Sequence, residues 1–379
     1  MSLYAFQLWR EFKLSIAEII SVFPDINVVY YDKKNLIIDN IDQDILLSKA
    51  DHLGGSIKIS KVSQYKEYGD IHEHIYNVSQ VKWWKFHYGI SLFWNTSNLK
   101  TTLIGTKKYL KEKEVSSRFV NQDFTNMSSA IINGEKLVQK WSDFTIISLP
   151  DSYYLGQTIW VQNIYEYSKR DYGKSRDMQI GMLPPKLSQI MINISGWKTI
   201  YDPFCGLGTI LIESQYMWNT HVYGSDFNPE MVEASLKNTK SENIFLFDAR
   251  DMAENKVFSN EIDTIVTEGF LGEIMTKKNI SHDRIDIQRK NLFKLYDKFF
   301  SGLCSVGFKW DIVISFPFWE VDKKYFYFTE VYTLLEKYCS VQDIFPKKYD
   351  LAPTKSGSLL YKRDSQLVGR EIFKLKIKN

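Results

Sequence analysis

The densest chemistry in the chain lies in Tyr201-Asp202-Pro203-Phe204-Cys205-Gly206-Leu207-Gly208-Thr209. An apolar run precedes this stretch and Ile210-Leu211-Ile212-Glu213 follows it, so the pattern predicts a strand-to-helix turn. Glycines at such a turn let the backbone approach a ligand closely. No GxxG follows Gly206-Leu207-Gly208 and no Gly-Lys-Ser/Thr continues the turn, so this is not a P-loop. About twenty residues on, Gly224-Ser225-Asp226-Phe227-Asn228-Pro229 puts an acid at the end of the next strand, placed to accept hydrogen bonds from ribose hydroxyls. A third strand ends in Asp248-Ala249-Arg250-Asp251, where a carboxylate can accept from an adenine amine, Asp248 or its neighbour Asp251. A fourth, 263–267, runs into Glu268-Gly269-Phe270-Leu271-Gly272: an acid, a free backbone and an aromatic ring. Plainer readings stand beside these. The glycines make a tight turn whatever binds there, Asp226 could cap the helix that starts at Pro229, and Glu213 could steady the glycine loop or face solvent.

Four such strand ends need a sheet with helical crossovers. From Thr199 onward the pattern alternates: strands at 199–202, 221–226, 244–248, 263–267 and 311–315, helices at 209–217, 229–241, 281–303 and 325–337. Repeated βα units predict an α/β doubly wound parallel sheet, and segments 359–362 and 370–377 add a C-terminal antiparallel hairpin. Upstream, strand 3–8, helix 11–22, strands 27–31 and 35–39, a helix from 45 and strand 56–61 give a ferredoxin-like α+β order. Residues 80–150 form a second α/β stretch: strand 86–94, a basic helix at 101–114 with Leu103, Leu110 and Ile104 inward, a strand from 118, helix 128–139 and strand 144–149, with a strand at 157–166 after it. Residues 167–182 are polar and glycine-punctuated and read as a connector, and 184–194 is a helix opened by proline. The expected domains are 1–62, 63–166, a linker 167–183 and 184–379.

Composition narrows the class. The chain has 379 residues, 44% hydrophobic and 15% aromatic, which excludes wholesale disorder. Lys and Arg number 48 against 45 Asp and Glu, so a uniformly basic protein is excluded. The distribution says more than the sum. Residues 1–80 carry about −3, 82–118 about +6 and 347–379 about +6. The first basic stretch interleaves lysines with Trp83, Trp84, Phe86, His87 and Tyr109, which suits phosphate contacts with base stacking; a solvated helix face is the plain alternative. Cys205, Cys304 and Cys339 are too few and scattered for a disulfide framework or a zinc knuckle. His72 and His74, two apart, would share one face of a strand but lack further ligands, so no metal is expected. Arg10, Glu11 and Lys13 break any apolar core near the start, and no run of about 18 apolar residues exists, so neither a signal peptide nor a membrane span is expected. The expectation is a reduced, cytoplasmic protein.

The motifs DPFCGLGTILIE, GSDFNPEMVEASLKN and FDARD together resemble the cofactor motifs of class I S-adenosylmethionine-dependent RNA methyltransferases. The resemblance is to the group with an N-terminal THUMP module that methylates N2 of guanosine 10 in tRNA. Tyr167-Ser168-Lys169-Arg170-Asp171-Tyr172-Gly173 and Met182-Leu183-Pro184-Pro185-Lys186-Leu187 resemble that group's lead-in to its catalytic domain. The resemblance is specific over about 160–270 and loose elsewhere. It implies a Rossmann-like methyltransferase domain behind ferredoxin-like and THUMP-like units. It implies S-adenosylmethionine bound through Asp202, Pro203, Phe204, Cys205, Gly206, Gly208, Thr209, Asp226, Phe227, Asp248 and Ala249. RNA, in particular tRNA, would be held by Lys82, Lys85, Lys107, Lys108, Lys111, Arg118, Lys169 and Arg170. Some relatives work with a small activating subunit, so a protein partner is a further implication.

One departure matters. The relatives end the fourth strand in Asp-Pro-Pro-Tyr or a variant, whose acid and proline carbonyl orient an exocyclic amine and whose ring stacks on a flipped base. This chain has Glu268-Gly269-Phe270-Leu271. Glu268, Gly269 and Phe270 are therefore the expected catalytic residues, with a longer acid and without the rigidity of two prolines. The alternative is an RNA-binding protein of this fold without turnover. Ser315-Phe316-Pro317-Phe318-Trp319, after the fifth strand, superficially matches the same motif, with core packing the plainer reading of its rings. DNA adenine and protein glutamine methyltransferases share the amine logic, and the THUMP-like half argues for RNA. Cys205 sits on the cofactor side of the turn, which argues against covalent catalysis.

Overall fold

A computed structural model describes residues 2–66, 71–79, 85–93, 98–172, 183–196, 199–218, 221–239, 241–254 and 262–378. In chain order the first elements are β1 (Leu3–Leu8), α1 (Phe12–Val22), β2 (Asn27–Tyr31), β3 (Asn35–Asp39), α2 (Gln43–Ala50), β4 (Ser56–Tyr65), α3 (Ile71–Ser79), β5 (Phe86–Phe93), α4 (Leu99–Glu112), β6 (Ser117–Phe119), α5 (Ser129–Gly134), β7 (Asp143–Ser148), β8 (Tyr153–Val161) and α6 (Ile164–Tyr172). There follow α7 (Pro185–Ser195), β9 (Ile200–Asp202), α8 (Thr209–Trp218), β10 (Val222–Asp226), α9 (Pro229–Thr239), β11 (Ile244–Leu246), a 3-10 turn (Ala249–Glu254), β12 (Thr264–Thr267), α10 (His282–Ser305), β13 (Asp311–Val321), β14 (Lys324–Tyr327), α11 (Glu330–Tyr338), β15 (Cys339–Val341), β16 (Leu359–Tyr361) and β17 (Val368–Ile377). Packing groups Met1–Phe12, Phe23–Asp51 and Ser56–Tyr167 into one unit, and Lys13–Val22, His52–Gly55 and Ser168–Asn379 into another.

In the first unit, β1 lies between β3 and β4 and every neighbouring pair among β2, β3, β1 and β4 is antiparallel, as the ferredoxin-like order predicts. The ten-residue β4 then pairs along its length with β8, so the sheet continues without a break as β4-β8-β7-β5-β6. Lys58 is buried at this junction, where its ammonium meets Asp143 Oδ2 and Ser91 Oγ, each at 2.9 Å. Among the described residues, α4 buries Thr102, Leu103, Thr106 and Leu110, one helical stripe. That stripe leaves Ile104, expected inward, 50% exposed. His72 and His74 lie on α3, not on a strand, and diverge: His72 Nδ1 meets Thr106 Oγ1 at 2.9 Å, whereas His74 stacks on Tyr65 at 4.0 Å.

The second unit is built on a sheet ordered β11-β10-β9-β12-β13-β17-β15, with β14 and β16 flanking β13 and β17. From β11 to β13 every pairing is parallel, which aligns four carboxyl ends at one edge, where open α/β sheets bind ligands. Beyond β12, β13 continues to Val321 and pairs antiparallel with β14 and β17. Residues 325–327, predicted helical, therefore form a strand, because Tyr325 and Tyr327 find Phe318 across the hairpin. Residues 167–172, predicted to start a connector, belong to α6, where Asn163 Oδ1 accepts the Tyr165 and Glu166 amides at 3.1 and 3.3 Å. Residues 173–182 of the linker lie outside the described residues. Helix α1 packs in this unit too: Glu18 is buried, accepts the Gly54 and Gly55 amides at 2.8 and 2.7 Å, and meets Asn193 Nδ2 of α7 at 2.7 Å. Desolvation pushes the Glu18 pKa up and that of its half-buried neighbour Lys186 down. No helix among the described residues is long and apolar enough to cross a membrane.

Candidate active site

The sheet order sets acids side by side: Asp248 just beyond β11, Asp226 closing β10, Asp202 closing β9 and Glu268 just beyond β12. Asp202 is buried; its Oδ1 accepts the Phe204 amide at 3.1 Å, and the Thr267 hydroxyl also bonds it. Burial, with Asp226 and Glu268 as like charges nearby, pushes its pKa up to about 7. The turn after it closes on itself: the Cys205 amide donates to the Ser225 carbonyl at 3.0 Å and that of Gly208 to the Cys205 carbonyl at 2.8 Å. Gly208 has φ +82°, and a Cβ there would lie 2.6 Å from Ser235 Oγ, so the position requires glycine. A Cβ on Gly206 would meet nothing within 4 Å, so that side of the turn is open.

Asp226 holds this turn. Its Oδ2 accepts the Gly206 amide at 3.0 Å and its Oδ1 that of Asn228 at 2.9 Å. The cap of α9 is Asn228, whose Oδ1 accepts the Glu230 amide at 2.9 Å, so Asp226 is left facing the glycine loop. Burial raises the Asp226 pKa. Next to the acids of β10 and β11, Phe227 is 65% and Leu246 60% exposed, two apolar surfaces at a polar edge. Of the other expected cofactor residues, Pro203 and Thr209 are buried, Cys205 is buried with its thiol pKa raised by desolvation, and Ala249 packs in the core. Phe204 packs on Phe299 and Tyr296 at 5.5 and 6.1 Å. Asp248 is gripped by Arg250, whose Nε lies 2.9 Å from Oδ2; that side-chain hydrogen bond lowers its pKa.

The Glu268 loop is not slack, contrary to the expectation that Gly269 loosens it. Ser315 Oγ donates to the Glu268 carbonyl at 2.6 Å, Tyr296 OH to the Phe270 carbonyl at 2.9 Å and the Gly269 amide to Thr267 Oγ1 at 3.1 Å. Arg370 Nε, from β17, bonds Glu268 Oε1. Gly269 has φ +71° and a Cβ there would lie 2.5 Å from Tyr296 Oη, so the close packing that restrains the loop also demands glycine. Phe270 is 42% exposed beside it. Phe316, Phe318 and Trp319 are fully buried, so the rival motif on β13 is core. Sequence reasoning missed Arg370, Ser315 and Tyr296 as supports of this loop; each lies on another element, far along the chain.

Two further readings are decided. Of the two left open for Glu213, the solvated face is excluded: the side chain is buried and binds Arg170 Nε at 3.0 Å and Gln189 Nε2 at 2.9 Å. Arg170, expected on RNA, therefore turns inward: its side chain is 11% exposed and its guanidinium lies 3.7 Å from the Tyr216 ring centre. A charge already paired with a carboxylate is a poor phosphate contact. Part of the basic C-terminal stretch is likewise engaged, with Arg370 on Glu268, Lys362 on Glu320 and Lys374 on Asp311. The remaining RNA candidates stay accessible. Lys85, Lys107, Lys108, Lys111 and Arg118 of the first unit are exposed, as is Lys169. Lys107 lies over Phe119 at 6.0 Å and Lys100 over Phe124 at 5.0 Å, so cations and rings interleave here. Lys82, Trp83 and Trp84 lie outside the described residues.

Comparison with known proteins agrees with this edge. Residues 173–285 match the UPF0020 family model, described as an RMKL-like methyltransferase domain. The chain is 31% identical over 136 residues to the tRNA (guanine(10)-N2)-dimethyltransferase of Methanothermobacter thermautotrophicus, covering 35% of this chain and 40% of the relative. It is 28% identical over 142 residues to the protein of the same name from Methanocaldococcus jannaschii, again 40% of the relative. The matched segment is thus well under half of these relatives' length. In fold the chain is similar along its full length to TrmN from Thermus thermophilus, at TM-score 0.54 and 12% identity. A possible methylase from Clostridium difficile 630 gives TM-score 0.51, also at 12% identity. The segment similar to the UPF0020 model, 173–285, takes in the glycine turn and all four strand ends.

Proposed function

We propose that this chain is an S-adenosylmethionine-dependent methyltransferase that acts on RNA, most specifically tRNA, with an exocyclic base amine as acceptor and guanosine N2 favoured. The observation that carries the reading is the row of acids at four adjacent strand ends beside an open glycine turn. The methyl donor fits this donor set: it bears a sulfonium and an ammonium, which acids attract, and a ribose diol, which a carboxylate at a strand end recognises. Phe227 and Leu246 offer apolar surface for its adenine. When bound, S-adenosylmethionine supplies a methyl on a leaving group already activated: as the amine lone pair forms the N–C bond, the C–S pair returns to sulfur and the amine releases a proton.

The residues of this chain then divide the work. Asp202 and Asp226 hold the glycine turn and the donor side. Glu268 accepts a hydrogen bond from the acceptor amine and so turns its lone pair toward the methyl group, and Phe270 stacks on the base. No group here has to act as a nucleophile, and the buried Cys205, its thiol pKa raised, is unsuited to that role. The exposed lysines of α4, with Lys85, Arg118 and Lys169, supply phosphate contacts. The names of the matched relatives favour tRNA and guanine N2. A ferredoxin-like part over 1–62 followed by a THUMP-like part over 63–166 fits the same reading.

The test is transfer of labelled methyl from S-adenosylmethionine to total small RNA. The expected result is incorporation by the wild-type chain, and its loss in Glu268→Ala with donor affinity almost unchanged. Activity that survives Glu268→Ala would remove Glu268 from the acceptor role. One observation favours a second reading, RNA binding without turnover: Arg370 already occupies one oxygen of the acceptor acid. Tight binding of donor and tRNA with no incorporation would establish that alternative.

A further inference from the structure

We infer that Arg370 is a positioning residue for methyl transfer, holding Glu268 in the orientation in which it meets the acceptor amine. The inference rests on the methyltransferase reading above. Three of the four contacts on the Glu268 loop fix its main chain; Arg370 fixes the carboxylate itself. Glutamate has one more methylene than the aspartate of the usual motif, hence one more torsion to immobilise before the acid can orient a substrate. The arginine is built to restrict it. Its side chain is 2% exposed, on β17 opposite Pro317 of β13 and Tyr361 of β16. Its Cζ lies 5.9 Å from the Tyr361 ring centre and its Nη1 3.5 Å from Gln366 Oε1. The preceding residue, Gly369, packs so closely under Phe318 that a Cβ would lie 2.1 Å from the ring, which seats the backbone carrying Arg370.

A guanidinium this buried is tolerated when a carboxylate faces it. Glu268 does so with one oxygen while its side chain keeps 22% of its surface exposed. The acid is anchored through one oxygen while its side chain is not fully enclosed. The C-terminal hairpin is thereby more than a closing edge of the sheet, because it delivers the anchor across 102 residues of sequence.

The test uses the full chain and four variants: Arg370→Gln, Arg370→Lys, Glu268→Gln, and Glu268→Gln combined with Arg370→Met. Donor affinity, KM for tRNA and kcat are measured for each. Arg370→Gln is expected to lower kcat about 30- to 100-fold, the cost of a misplaced group, with donor affinity and KM within about two-fold. Arg370→Lys should recover part of the loss. The combined variant should match Glu268→Gln alone, since an arginine acting through Glu268 has nothing left to position. That comparison also serves if Arg370→Gln fails to fold, because the combined variant removes both charges of the pair together. An unchanged kcat in folded Arg370→Gln, or losses that multiply in the combined variant, would overturn the inference. A rise in kcat would show that the pair blocks the acid. A wild-type chain that binds donor and tRNA but transfers nothing would instead sink the underlying reading, which is a separate outcome.

Discussion

Asp202 carries a charge that the folded chain tolerates poorly. Its pKa is raised from 3.8 to about 7 by burial, so the acid favours the fold most when protonated, below about pH 4. That contribution is lost as pH rises through 7. Asp202→Asn removes the titration. It should therefore be more stable than wild type by on the order of 1–3 kcal/mol at pH 8, with the difference vanishing near pH 4, while donor affinity falls at least about ten-fold. Urea melts at both pH values check the sign; a stability difference independent of pH would refute it. Gly208→Ala should destabilise by about 1–2 kcal/mol and weaken donor binding, read by calorimetry, because φ is +82° and Ser235 fills the space a methyl needs. These positions were legible in the sequence, since Gly206, Gly208 and Asp226 lie at spacings set by a strand-turn-helix unit. Arg370 was not. In an alternating basic strand it looks like one more solvated cation, and its partner is fixed by tertiary pairing alone.

Helix α4 and strand β4 show the same contrast among elements. The basic face of α4 is plain in the sequence, because Lys107, Lys108 and Lys111 recur at helical spacing alongside the Leu103 and Leu110 stripe and all three are exposed. If that face contacts phosphates, replacing each of the three lysines by Gln should reduce the slope of log affinity against log salt by roughly 0.7–0.9 per lysine. An unchanged slope in filter binding at several salt concentrations would place the RNA elsewhere. Strand β4 hides its principal interaction. Lys58 reads as a surface residue, yet it forms a buried pair with Asp143, which is 85 residues away. Lys58→Met should cost about 3–5 kcal/mol by stranding the carboxylate, and the added change Asp143→Leu should restore most of it. Helix α6 and strand β14 escaped sequence reasoning for a related reason. A polar helix held by an Asn cap has no apolar stripe to announce it, and a strand of tyrosines is settled by the partner it meets across a hairpin.

For the whole molecule, the net charge of +3 conceals an acidic start and two basic stretches. The structure then separates those two. The one on α4 is exposed, whereas part of the C-terminal one is tied to Glu268, Glu320 and Asp311. The doubly wound order and the C-terminal hairpin were readable from alternation of strand and helix. The continuous eight-stranded sheet of the first unit and the packing of α1 with the second were not, because both depend on pairings between distant segments. In the proposed reaction, the acids at one sheet edge, closed by Glu268 and its arginine, direct a methyl group to an exocyclic amine of tRNA. The most direct test is nucleoside analysis of unmodified tRNA after incubation with the purified chain and labelled S-adenosylmethionine. The account predicts label in N2-methylated guanosine, lost in Glu268→Ala. Label confined to a base carbon or to ribose, or no label although donor and tRNA both bind, would contradict it.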